Sequence, residues 1–290
     1  MIRFRRFIYV LLLVFLVALI SREFFYTGTV VPPQQLNATP IIDMHIHIAG
    51  LGYGSDSFIS DDFVAKQVAH YPSLYFGASI NPYRPDALDR LEQAKQQGAV
   101  LIKWIPNIQH IDPADKKLIP FYQKLKELNL PLLSHAGQER SFGSAIDEYG
   151  DPQRLRLPLS LGVTVIAGHI ATTGKTDQQS NYQRILELFD EYPNLYSDIS
   201  SLTQINKLGY LNTALIENRL KNQLIYGSDF PLVNMVLVSP YYFPLNLTLK
   251  QMWQLSKINN PLDRDIALKQ ALGMPADIFA RSGELLSIGN

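Results

Sequence analysis

Short apolar, β-branched runs recur at Ile41–Ile48, Leu74–Ile80, Val100–Ile105, Leu130–Ser134, Val163–Ala167, Leu195–Ile199 and Leu224–Tyr226. From the second onward they stand about 30 residues apart, the length of a βαβ unit. Helical patterns fill the gaps. Asp86 to Gln97 ends at Gly98 as a helix does at its C-cap, Leu118, Phe121, Leu125 and Leu128 form an apolar stripe on one helical face, and Gln183 to Tyr192 repeats the pattern. Strand alternating with helix at this period predicts a parallel sheet, either a closed eight-stranded (β/α)8 barrel or an open doubly wound sheet. No GxGxxG or GxxxxGK segment follows any strand, which favours the barrel over a nucleotide-binding sheet. Only seven strands are legible. The stretch from Ala49 to Pro72, with Gly50, Gly52 and Gly54, makes the second βα unit look reduced and the barrel distorted.

The chain has 290 residues, 47% apolar and 18% charged, enough for one large core, with 26 basic and 26 acidic side chains. That balance gives no field to draw the protein to nucleic acid. With no cysteine present, any metal ion must sit on His, Asp, Glu or a carboxylated Lys.

The N-terminus carries its own pattern. Arg3, Arg5 and Arg6 precede the apolar run Phe7 to Ile20, and Phe24, Phe25 and Tyr26 follow a polar break. Residues 1–30 therefore read as an uncleaved anchor meeting the membrane through residues 7–26, with the catalytic domain outside the cytoplasm, on the periplasmic or extracellular face. Residues 31–40, with three prolines and no periodicity, read as a linker, and residues 41–290 as the catalytic barrel.

Asp43, His45 and His47 alternate along the first strand and so share one face, from which two imidazoles can reach one metal ion. Lys103, His135, His169 and Asp229 each stand at the C-terminal end of a later run. In a parallel barrel those ends form the active face, so side chains spread over nearly two hundred residues are predicted to converge. The competing reading of Asp229 is a helix N-cap just before Pro231.

The segments IIDMHIHIAG, GAVLIKWIPN, LPLLSHAGQ, VTVIAGHIA and LIYGSDFP, in this order, resemble the amidohydrolase superfamily over Ile41 to Leu286. They are most similar to its amidohydrolase-related branch, which includes the aminocarboxymuconate-semialdehyde decarboxylase group. The resemblance implies a distorted (β/α)8 barrel binding a divalent metal, zinc or else manganese, on His45, His47, His135 and Asp229. Three imidazoles and a carboxylate suit Zn²⁺ and leave a position for water, which such an ion acidifies into a nucleophile. Asp229 and His169 are then the catalytic candidates. One ion is expected. Two would place Lys103, carboxylated, and His169 among the ligands.

Arg84, Arg140 and Lys175 lie near predicted strand ends as candidate cations for a substrate carboxylate. The function expected is hydrolysis of a C–N or C–O bond in a small molecule (amide, lactone or ester). The alternatives are a metal-dependent decarboxylase and a membrane-tethered, non-catalytic binding protein on the same barrel. An oligomer is compatible with all three.

Overall fold

The computed structural model describes residues 2–25, 41–46, 60–139, 144–286 and 288. Six parallel strands form the central sheet: β1 (Phe76–Ala78), β2 (Ala99–Trp104), β3 (Leu132–Ser134), β4 (Val165–Ala167), β7 (Leu195–Asp198) and β8 (Leu224–Ile225), in the order β1-β2-β3-β4-β7-β8. A two-stranded antiparallel hairpin, β5 (Lys175–Thr176) and β6 (Gln179–Ser180), interrupts the alternation and was not expected from the sequence. The first predicted strand runs extended along β8: Met44 N donates to the Tyr226 carbonyl, Asp229 N donates to the His45 carbonyl at 2.8 Å, and Ile46 bridges Phe230 in parallel. Among the described residues no strand joins this segment to β1, so the sheet is not closed there. Of the stretch predicted as a reduced second unit, Ala49 to Pro72, residues 49–59 lie outside the described residues and the remainder carries a helix, Asp61–Val68.

Helices at Ala87–Gln96, Ile119–Glu127 and Asn181–Glu191 sit where the apolar periodicity predicts them. Ser180 caps the last, its side chain accepting from Gln183 N. Gly98 ends the first with φ 89°, a left-handed geometry that glycine adopts at no steric cost. These helices bury Leu91, Phe121, Leu125, Ile185 and Leu188 against the outer side of the sheet, which presents Ile102, Trp104, Leu132, Val165 and Leu195. Each such Leu or Ile stabilises the fold by about 1.5–3 kcal/mol.

The inner side has a separate apolar floor of Met44, Leu101, Leu133, Ile166 and Ile225. Side chains alternate along a strand, so two residues beyond Leu101 comes Lys103 and two beyond Leu133 comes His135, both on the floor's side. The register Lys103↔Leu133 and Leu133↔Ile166 sets Lys103 level with the floor's Leu133 and Ile166, while His135 lies two residues nearer the C-terminal strand ends.

The membrane expectation is corrected. The N-terminal run forms a helix, Ile2–Phe25, but among the described residues no helix is long and apolar enough to cross a membrane. The uninterrupted run Phe7–Ile20 covers only about 21 Å at 1.5 Å per residue, against a hydrocarbon core of about 30 Å. Basic residues before it and the polar Ser21–Arg22–Glu23 break after it prevent extension. The anchored localisation outside the cytoplasm falls with it. The predicted linker, residues 31–40, lies outside the described residues.

Candidate active site

The strand ends bring together His45, Lys103, His135, His169 and Asp229, as the sequence predicts, and add Asp198, Ser200, Ser201, Glu139 and Lys207. His45 is 2% exposed, and its two ring nitrogens face different groups. Nδ1 lies 2.7 Å from Asp198 Oδ2 and 3.0 Å from Ser200 Oγ. Nε2 faces the Lys103 ammonium at 2.8 Å and Asp229 Oδ1 at 3.5 Å. A carboxylate accepting from Nδ1–H fixes the tautomer and leaves the Nε2 lone pair available. Gly227 permits this approach, because a Cβ there would come within 2.8 Å of the His45 Cβ.

Asp198 ends β7 and is fully buried. It also accepts from His169 N at 2.8 Å and Ser200 N at 3.0 Å. Burial alone would raise its pKa, but the interactions with His45 and His169 and the hydrogen bond from Ser200 together outweigh that and hold the carboxyl below the usual range. The bond to His169 N has a second effect. His169, Ile170 and Ala171 all have positive φ, 42°, 51° and 49°, which costs a non-glycine residue about 1–2 kcal/mol each. Asp198 and Ser197, whose Oγ accepts from Ile170 N at 3.0 Å, hold this strained turn and aim the His169 ring into the site.

There His169 Nε2 lies 3.1 Å from His135 Nδ1, the rings meeting edge to face at 4.7 Å. Glu139 Oε2 stands 3.7 Å from His135 Nδ1. Burial, then the charges of Lys103 and Lys207, push His135 down to about 3. Burial and then Lys207 push His169 well below its ordinary value, so both rings are neutral at pH 7. Burial lowers Lys103 to about 8. Asp229, with φ 64°, accepts from Ser201 Oγ at 2.7 Å through Oδ2, which turns Oδ1 toward His45.

Asp43, which shares the HxH pattern, faces the backbone instead. Its Oδ1 accepts from His45 N and Ser228 N, tying the first strand to β8, and burial raises its carboxyl to about 6. His47 and Arg140 lie outside the described residues. Arg84 forms a two-point ion pair with Asp86 and Lys175 lies exposed on the hairpin, so neither joins the cluster. Asp198 was legible as the polar residue ending the Leu195–Ile199 run, by the same rule that picked out His135. Lys207, nine residues beyond that strand in an irregular stretch, carried no such signal.

The donor set suits a divalent cation. Two ligands of a tetrahedral ion at about 2.0–2.1 Å stand about 3.3 Å apart, close to the 3.5 Å between His45 Nε2 and Asp229 Oδ1. His135 Nε2 and His169 Nδ1 are buried without a hydrogen-bond partner, as unused ligand atoms would be. Yet among the described residues no three His, Asp or Glu side chains stand ready as a cage, and Lys103 competes for the His45 lone pair.

The amidohydrolase family model matches residues 49–235, about two thirds of the chain, and the chain belongs to that family of metal-dependent enzymes. Its fold is the TIM barrel of an uncharacterized TIM-barrel protein from Bordetella bronchiseptica, which is 18% identical with TM-score 0.54 over 82% of this chain and 75% of that one. A Pseudomonas putida protein proposed as a 2-pyrone-4,6-dicarboxylic acid hydrolase is 14% identical with TM-score 0.52, over 81% and 78% of the two chains. No curated protein sequence matches.

Proposed function

We propose that this enzyme hydrolyses a C–N or C–O bond in a small molecule, an amide, lactone or ester, at the strand-end cluster. The observation that carries the reading is the His45 ring, fixed by Asp198 through Nδ1 and turned with Nε2 toward Asp229, beside two histidines whose outer nitrogens are buried and unused. His45, His135 and Asp229 would hold one divalent ion. His47 joins them on the resemblance alone, and zinc is the metal that this mixture of imidazole and carboxylate favours, with manganese second. When bound, such an ion supplies Lewis acidity to a carbonyl oxygen and acidifies water.

The chain's own groups supply the rest. Asp229 takes a proton from the attacking water through Oδ1, while Ser201 holds Oδ2 and prevents the carboxylate from rotating away. The proton that Asp229 takes up goes on to the leaving group, and His169, uncharged at neutral pH and with Nδ1 unpartnered, can relay it by accepting it before handing it over. Lys103, positive beside His45, offsets negative charge that develops on the carbonyl oxygen.

Metal content of the full chain by plasma mass spectrometry, beside His45→Ala, tests the site. About one ion per chain in the parent and none in the variant is expected, and about two would instead bring Lys103 and His169 into the ligand set. Product analysis on lactones, amides and esters tests the reaction. An acid released without CO₂ supports hydrolysis. Evolved CO₂ from carboxylic acid substrates, or no metal even after reconstitution, overturns it.

A further inference from the structure

Lys207 is only 7% exposed, yet its ammonium makes no hydrogen bond among the described residues and no ion pair within 4.0 Å. The side chain thus runs through the interior to carry an accessible charged end that no described group pairs, and that placement needs a reason. The backbone there is closely held. Gln204 bridges Val238, Ile205 N donates to the Leu237 carbonyl at 2.9 Å, and Lys207 N donates to the Gln204 carbonyl at 2.9 Å. The lysine is therefore fixed over the strand ends from a short 3-10 turn, Ile205–Lys207.

Its charge acts on the whole cluster: Asp229, Asp198 and Glu139 attract it, and both His135 and His169 feel it. None of those acids docks against it. Asp198 is committed to His45, Ser200 and the His169 amide, and Asp229 to Ser201. Burial lowers the ammonium to about 8, with the three acids partly offsetting it, so it is a cation at neutral pH. Arg84 is spent on Asp86 and Lys175 stands out on the hairpin, which leaves Lys207 as the cation of the site without a partner among the described residues.

We infer that Lys207 binds a carboxylate of the substrate, and that the substrate is therefore a small organic acid carrying the scissile bond. The inference rests on reading the strand ends as the active site. A carboxylate placed against Lys207 gives its unpaired ammonium a charge-assisted hydrogen bond and anchors the substrate by a group remote from the reacting carbonyl.

The test compares acids with their neutral amides on the full, metal-loaded chain. Succinate and benzoate are titrated against succinamide and benzamide by calorimetry or saturation-transfer NMR, on the parent, Lys207→Met, Lys207→Gln and Lys207→Arg. The acids should bind the parent about tenfold or more tightly than the amides. Lys207→Met and Lys207→Gln should erase that preference while leaving amide binding and metal content unchanged, and Lys207→Arg should keep most of it. An acid preference that survives both neutral variants, or a parent with no preference, overturns the inference. A parent that holds its metal and cleaves esters without preferring acids sinks the carboxylate site alone. One that prefers acids through Lys207 but holds no metal and turns nothing over sinks the hydrolase reading alone.

Discussion

Two clusters of buried charge lie on either side of the same short stretch, Tyr226 to Asp229, and they are finished to different degrees. Behind the stretch, Lys269 is wholly buried with Asp265 Oδ2 at 2.6 Å and the Gly227 carbonyl at 3.0 Å. The Tyr226 hydroxyl donates to the same carboxylate at 2.9 Å, and the ammonium lies 5.0 Å over the Tyr226 ring. In front, His135 Nε2 and His169 Nδ1 are buried without such closure, and the Lys207 side chain, only 7% exposed, ends in an ammonium with no ion pair among the described residues. A closed network rigidifies the backbone that carries Asp229. An open one holds groups in readiness for something from outside, at a cost in stability.

The comparison breaks first at Lys269. Lys269→Met leaves Asp265 buried beside an apolar chain and should destabilise the protein by about 3–5 kcal/mol in urea unfolding. A loss below about 1 kcal/mol would mean that the rear cluster is no better satisfied than the front one. Next comes Asp198→Asn, which removes the charged acceptor from His45 Nδ1 and loosens the strained turn at His169. Metal affinity, read by competition with a chelator, should fall about 10- to 100-fold, and unchanged affinity would show that Asp198 does not orient His45.

The rear cluster also has a pH signature. Burial, then Asp265, raises the Tyr226 hydroxyl well above its ordinary 10, and burial raises Tyr122, whose hydroxyl donates to the Pro113 carbonyl at 2.8 Å. A phenol whose folded pKa exceeds its unfolded one contributes stability that is complete below pH 10 and is lost as pH rises beyond it. Melting temperature should accordingly drop above pH 10, and Tyr226→Phe, at about 1–2 kcal/mol lower stability near pH 7, should flatten that drop. An equally steep drop in the variant would assign the alkaline loss elsewhere. The smallest effect is expected at Lys207→Met, within about 1 kcal/mol of the parent, since the lysine has no partner to strand. A loss as large as that of Lys269→Met would make Lys207 a structural ion and erase the contrast between the clusters.

The strand runs and their spacing were readable because apolar periodicity follows directly from burial on a regular lattice, and six of the seven predicted runs pair in the sheet with the seventh lying along β8. His135, His169 and Asp229 were readable because each follows an apolar run at the C-terminal end of its strand. Asp43 shows the limit of such patterns. It has the right spacing to share a face with His45, but backbone amides of His45 and Ser228 claim its carboxylate. Arg84 and Lys175 show it again, since no spacing reveals that the Arg84 guanidinium turns back onto Asp86 or that Lys175 sits on a hairpin.

The order of residues by itself determined the alternation of strand and helix, the family, and the chemical types gathered at the strand ends, because these depend on periodicity and on local chain chemistry. Only the tertiary structure decided which nitrogen of His45 faces which carboxylate, that Asp198 holds the strained turn under His169, and that one buried lysine is paired while another is not. Those outcomes depend on contacts between residues as far apart as 45 and 198, and such distances have no period for a sequence to display.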